Sequence, residues 1–201
     1  MKKFELTSET KINIFGKKLF RIKALISFGV VKTGETGGWV EKEENVNQSG
    51  NAWVFDNAEV FGNAEVSGNA WVFDNAEVFG NAEVFGNAWV SGNARVFDNA
   101  EVFDNARVFG NARVSGNARV SDNAWVFDNA DYATIHGFGT QFRTTTFFRC
   151  KDKQVKVSCG CFYGTIPEFR EQVKNTRKGK IAEEYLMIAD LMEKHFAEEA
   201  K

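Results

Sequence analysis

The sequence predicts a mainly β fold, a stacked solenoid with a different cap at each end, and three observations carry that reading. First, Ser49 to Val126 is one six-residue phrase, Ser/Phe–Gly/Asp–Asn–Ala–x–Val, written thirteen times without an insertion. A degenerate fourteenth copy runs from Phe127 to Tyr132. A period this strict is the mark of stacked repeats. Second, Ala and Val lie two apart in every phrase, so they share one side of an extended strand and the residue between them faces the other. Putting Ala and Val outside would bury Glu, Arg and Asp unpaired, at several kcal/mol each. Ala and Val are therefore the core. Third, Gly-Asn or Asp-Asn separates the strands, and these residues tolerate the positive φ that a sharp corner needs. Short strands joined by two-residue corners at this pitch close a triangular coil.

The elements follow in order. Residues 1–48 form a β N-terminal cap. Lys3 to Ile14 and Lys18 to Leu25 alternate loosely about Phe15-Gly16-Lys17, a hairpin signal, and Gly37-Gly38-Trp39-Val40 to Asn45-Val46 is an irregular first coil. Residues 49–132 are the hexad array. Residues 133–201 form the C-terminal cap. In it Thr144–Cys150 and Gln154–Ser158 make a hairpin across Lys151-Asp152-Lys153. Thr165-Ile166-Pro167-Glu168 then opens a helix, with Thr as N-cap, Pro in the first turn and Glu three residues on. Ile166, Phe169 and Val173 are its apolar stripe. A second helix, about Lys180 to Glu198, carries Ile181, Tyr185, Ile188, Met192 and Phe196 at helical spacing. Neither stripe is satisfied alone, so the helices are expected to pair and to pack on the terminal coil or on a partner. Such caps protect the open ends of a solenoid from edge pairing.

The hexad phrase resembles the hexapeptide repeat of left-handed parallel β-helices, with an aliphatic and a small residue inward and a tight turn between. The resemblance implies three hexads, eighteen residues, per coil. It also implies a left-handed superhelix, against the usual right-handed crossover. The flanks, Lys3-Phe4-Glu5-Leu6-Thr7, Arg21-Ile22-Lys23-Ala24-Leu25, Gly37-Gly38-Trp39-Val40-Glu41 and Gly160-Cys161-Phe162-Tyr163-Gly164-Thr165, are similar to uncharacterised hexapeptide-repeat proteins of phages and prophages in Gram-positive bacteria. That likeness implies a viral or prophage origin and brings no assigned activity.

With eighteen residues per coil, the outward residue between Ala and Val sorts into three faces. The first carries Trp53, Trp71, Trp89, Arg107 and Trp125, and the residues after Val on that face include Phe55, Phe73, Phe109 and Phe127. This aromatic wall is the expected contact surface, buried against a second subunit or the C-terminal helices. Ladders that merely stiffen the stack, and a stacking platform for sugars or bases, are the alternatives. The second face reads Glu59, Glu77, Arg95, Arg113 and Asp131 up the stack. Antiparallel packing about a two-fold axis would set Glu59 by Arg113 and Glu77 by Arg95, so an antiparallel homodimer is the expected assembly, with a trimer as the other closed form. The third face carries Glu65, Glu83, Glu101 and Arg119.

Composition bounds the function. Across 201 residues the net charge of −2 gives no reason to expect nucleic acid or an anionic membrane. No run of eighteen or so apolar residues is present for a membrane span. The N-terminus has a basic pair but no apolar h-region, so a secretory signal is not expected. Three cysteines, Cys150, Cys159 and Cys161, lie outside the repeats and are an odd number, which points to a reducing cytoplasm. Proteins of this fold include acyltransferases and zinc carbonic anhydrases, and both resemblances imply histidines on the coils or on loops leaving them. The thirteen hexads hold no His, no Cys and no loop. His136 lacks a companion at a recognisable spacing, His195 flanks a helix stripe, and the cysteines read as small buried residues. The expectation is a non-enzymatic cytoplasmic scaffold with no cofactor and no metal, engaging itself and a host protein, as an anti-defence protein if phage-borne. The alternatives are a sponge for a small nucleotide signal at a subunit interface and a hexapeptide-type acyltransferase.

Overall fold

The computed structural model describes residues 2–197. Each hexad contributes a two-residue strand, x–Val, which pairs in parallel with the strand eighteen residues on: Trp53 with Trp71, Glu59 with Glu77, Glu65 with Glu83. The chain thus winds through three faces per coil and builds a parallel β-solenoid whose first face has five strands, one per coil. Inside, every Ala and Val of the thirteen hexads is at most 1% exposed. The core is uniform because only two side-chain shapes fill it.

The corners work as the sequence predicts. Asp56, Asp74, Asp98, Asp104 and Asp122 hold φ between 51° and 60°, and glycine takes the equivalent place elsewhere. The asparagine after each corner stacks into ladders. Asn51, Asn69 and Asn87 each donate an amide N–H to the Oδ1 of the next asparagine up the stack, ending on Asn105, at 2.9–3.3 Å. These side-chain bonds add to the backbone bonds that run from each coil to the next, such as Trp53 N–H to the Ala70 carbonyl.

At the N-terminal end, β1 (Phe4–Ile12) and β2 (Lys18–Ala24) form the expected hairpin. β2 continues antiparallel onto β3 (Thr36–Val40), which is parallel to Glu59–Val60, so the cap extends the second face of the solenoid. The glycine pair in β3 is steric. A Cβ at Gly37 would lie 2.6 Å from the Trp53 ring, and one at Gly38 would lie 2.6 Å from Val54 Cγ1.

The C-terminal cap is larger than the predicted hairpin. β4 (Tyr132–Phe138), β5 (Arg143–Arg149), β6 (Val155–Cys159) and β7 (Phe162–Thr165) form a four-stranded antiparallel sheet in chain order. Alternation along β5 sends Phe148 into the solenoid core and Phe147 into a second core beneath the helices. Arg119 N–H donates to Thr146 Oγ1, and Lys151 N–H to the Asn123 carbonyl, so this sheet closes the last coil.

α1 (Ile166–Thr176) begins on the predicted capping box of Thr165 and Glu168, and α2 (Gly179–His195) follows. The end expected for the second helix, Glu198, lies outside the described residues. Both stripes are buried together on the cap sheet, not on the terminal coil, because Phe147, Val157 and Phe162 offer the apolar surface there. Among the described residues no helix is long and apolar enough to cross a membrane.

Candidate functional site

The aromatic wall exists, and it is largely satisfied within the chain. Trp71 and Trp89 stack with centroids 5.3 Å apart and planes 4° apart. Phe55 and Phe73 meet Trp71 and Trp89 edge-on, and Phe109 meets both Trp125 and Phe127 in the same way. Arg107 fills the gap in the Trp column, with its guanidinium 4.1 Å from the Trp89 centroid and 5.7 Å from that of Trp125. Lys151 of the cap lies over Trp125. Trp53 must be removed from the contact surface. It is fully buried, because the N-terminal cap folds Phe4 and Phe28 edge-on against its ring. The helices do not cover the wall either, since their buried residues all belong to the cap core. Trp71, Trp89 and Trp125 are half-buried, and Phe127 is exposed.

The charged column of the second face is also spent internally. Lys11 of β1 pairs with Glu59 at 2.8 Å, and Arg95 pairs with Glu77 on the coil below at 2.9 Å. Asp131 binds Arg149 of β5 at 3.2 Å. The expected antiparallel dimer loses the charge argument that motivated it. Arg113 is left exposed below Asp131 in the column, and no carboxylate pairs with it among the described residues.

The residue after Val forms ladders on the other two faces as well, which were not anticipated. Phe61, Phe79 and Phe97 stack at 5.0 and 5.1 Å with planes 2° and 5° apart. Phe85 and Phe103 stack at 5.0 Å on the third face. Sorting the after-Val residue on all three faces reveals both ladders, and also shows that each ends in a serine, Ser115 and Ser121 respectively.

Each ending opens a cleft where the solenoid meets its cap. The cleft above Phe97, about 340 Å³, is lined by Phe97, Arg113, Ser115, Asn129, Tyr132 and Thr134 among others. Asn129 Oδ1 accepts the Arg113 backbone N–H at 2.9 Å, and the Tyr132 hydroxyl donates to the Arg113 carbonyl, so the wall is tied to the coil. His136 lies two residues beyond Thr134 on β4, past the residues that line the cleft and at an irregularity in the β4–β5 register. Its Nδ1 is 3.3 Å from Thr144 Oγ1 on the neighbouring strand.

The cleft above Phe103, about 380 Å³, is different in character. Asp104 and Asp122 line it, Tyr163 donates its phenol to Asp122 at 2.7 Å, and Arg119 is bound to Glu101 at 3.0 Å. Burial and the bond to Asp122 push the Tyr163 phenol well above its ordinary range. A further cavity, about 430 Å³, lies between the cap sheet and the helices beside Val155, Ile166 and Phe196, and its acidic residue Glu193 is held by Arg170.

The cysteines divide. Cys150 is buried at the end of the solenoid core, where burial pushes its thiol up to about 12. Cys161 is exposed, contrary to the expectation of a small buried residue, because Gly160 at φ 62° turns the β6–β7 hairpin outward there. Among the described residues, no group of three or more His, Cys, Asp or Glu side chains could hold a metal ion.

Comparison with known proteins adds chemistry to this geometry. A family model described as the YdcK beta solenoid repeat matches residues 100–116 and 112–128. The chain is 36% identical, over 78 residues, to a protein of Escherichia coli (strain K12) named as the uncharacterized acetyltransferase YdcK. The match covers 33% of this chain and 23% of that protein, so the chain spans only a minor part of its relative. The expectation of a non-enzymatic chain is overturned by this finding, which points toward an enzyme. That expectation discounted His136 because no companion stands at a recognisable spacing from it along the chain, a criterion blind to a partner brought near by strand pairing.

Proposed function

We propose that this chain carries an acyl-transfer site at the end of the second face, with His136 as its general base. The likeness to a protein named an acetyltransferase supports the reaction class. The observation that carries the placement is the His136–Thr144 pair, at 3.3 Å, two residues along β4 from Thr134, which lines the 340 Å³ cleft. In the tautomer whose Nδ1–H donates to Thr144, Nε2 keeps its lone pair and the ring is held in one orientation. Nε2 would take the proton from an acceptor hydroxyl or amine as that atom attacks a thioester carbonyl. The electron pair moves to the carbonyl oxygen, and collapse expels the thiolate, which ends protonated. Such a base contributes about 10²–10⁴-fold to rate.

The test is release of free coenzyme A thiol from acetyl-coenzyme A in the presence of a panel of amino and hydroxyl acceptors. The wild-type chain should turn over at least one acceptor, and His136→Gln should lose about a hundredfold or more in kcat while retaining its melting temperature. Equal kcat in the variant would remove His136 from the mechanism. Failure of acetyl-coenzyme A to bind at about 1 mM would remove the reaction class, since KM values fall between about 1 μM and 1 mM.

A further inference from the structure

A ladder of parallel rings that stops one rung short leaves a ring-shaped opening. On the second face the rungs are Phe61, Phe79 and Phe97, spaced 5.0 and 5.1 Å and nearly parallel, and the next position is Ser115. The upper face of Phe97 therefore looks into the cleft, where among the described residues no ring stacks on it; Tyr132 of the cap lines the cleft with its hydroxyl tied to the Arg113 carbonyl. The third face provides an internal comparison. There the ladder also ends in a serine, Ser121, but Arg119 lies over the Phe103 ring at 5.1 Å and is bound to Glu101. Arg119 thus covers the last ring, although a cleft of about 380 Å³ remains beside it, and Asp104 and Asp122 make its walls acidic. The same serine occurs one hexad apart with opposite outcomes: one ladder is capped by an arginine in an acidic cleft, the other has no such cap and faces a cation.

We propose that the gap above Phe97 is a binding slot for a nucleotide, meaning a flat heteroaromatic ring joined to a phosphate. The ring takes the place of the missing rung on Phe97, a stacking surface that accepts any base. The phosphate is met by Arg113, the guanidinium of its column that no carboxylate pairs with among the described residues. The Ser115 and Thr134 hydroxyls and the Asn129 amide N–H₂ supply neutral donors around it, Asn129 Oδ1 being already engaged by the Arg113 backbone. No Asp or Glu lines this cleft, so an anion meets no like charge there. Its volume, about 340 Å³, falls at the small end of the ~300–1,000 Å³ of ligand sites. The slot occupies the same cleft as the acyl-transfer reading but requires no reaction. The nucleotide could be free or could be one end of a larger molecule.

The experiment is equilibrium binding to the full chain by calorimetry at low salt, without turnover, so that its failure is separate from a failure of acyl transfer. The probes are AMP, adenosine, ribose 5-phosphate and coenzyme A. AMP should bind, with adenosine and ribose 5-phosphate each weaker by about tenfold or more, because each keeps half of the recognition. Ser115→Phe completes the ladder and should weaken AMP by at least about twentyfold while holding or raising the melting temperature. Arg113→Gln should bring AMP down to the affinity of adenosine. Coenzyme A binding more tightly than AMP assigns the slot to the nucleotide end of a larger molecule, and equal or weaker binding assigns it to a free nucleotide. AMP binding that is unchanged in Ser115→Phe, or absent at about 5 mM in the wild-type chain, overturns the proposal.

Discussion

Replacing Phe97 by leucine separates the two roles given to its ring. Below it lies one stacked partner, Phe79, at 5.1 Å and 5°. Losing one such pair costs about 0.5–1.5 kcal/mol beyond area burial, and leucine keeps much of the apolar contact. At about 2–4 °C per kcal/mol for a chain of this size, the melting midpoint should fall by about 1–6 °C. Above the ring lies the cleft, and removing a stacking platform costs about 1–3 kcal/mol per base, so AMP should bind about 5–150-fold more weakly. Phe103→Leu is the matched control. It loses the 5.0 Å stack on Phe85 and the contact with Arg119, so its stability should fall as much or more. Its affinity for AMP should stay within about twofold of wild type. Differential scanning calorimetry and isothermal titration on the three proteins read both quantities. The reasoning is refuted if Phe97→Leu binds AMP as the wild type does, or if Phe103→Leu loses as much affinity.

Two further outcomes test the caps. Lys3 is 1% exposed, donates to the Ala52 carbonyl at 2.9 Å, and has its pKa lowered by burial from 10.5 to about 8. Between about pH 8 and 10.5 the unfolded chain holds a proton that the native chain has released, so stability rises with pH in that window. Paired thermal melts should show wild type gaining on Lys3→Met from pH 8 to 10, whereas parallel curves would contradict the burial of the ammonium. Cys150, raised to about 12, opposes this trend above its ordinary range, but it does so in both proteins and cancels in the difference. At the other end, Thr165→Ala removes the hydroxyl that accepts the Glu168 N–H and should cost about 0.5–2 kcal/mol. Hydrogen exchange should quicken in α1 and stay unchanged in the solenoid; uniform quickening would mean that cap and solenoid unfold as one unit.

The repeat made the solenoid legible because its contacts repeat too. Trp71 pairs with Trp89, and Val72 with Val90, wherever the phrase recurs, so one hexad explains the next. What the phrase could not show is contact with residues outside it. Trp53 occupies the same place in the phrase as Trp71, yet it is buried by Phe4 and Phe28, which belong to no repeat. β4 reads as decay of the phrase because Tyr132 and Phe148 meet only through antiparallel pairing. The same hairpin brings His136 Nδ1 within 3.3 Å of Thr144 Oγ1 where the register is irregular, a relation invisible to any search for motif spacing along the chain. The clefts share this origin. Ser115 and Ser121 are ordinary variants within their hexads, and they become openings only where a ladder meets the cap.

The central claim is that the chain acts where the Phe61–Phe79–Phe97 ladder stops and β4 leaves the coil, and not on the Trp wall. Hydrogen exchange with mass readout, with and without saturating acetyl-coenzyme A, tests it most directly. The account predicts slowed exchange confined to residues 112–116 and 129–136, with residues 71–90 unchanged. Protection centred on Trp71 and Trp89 and absent from the cleft would contradict it.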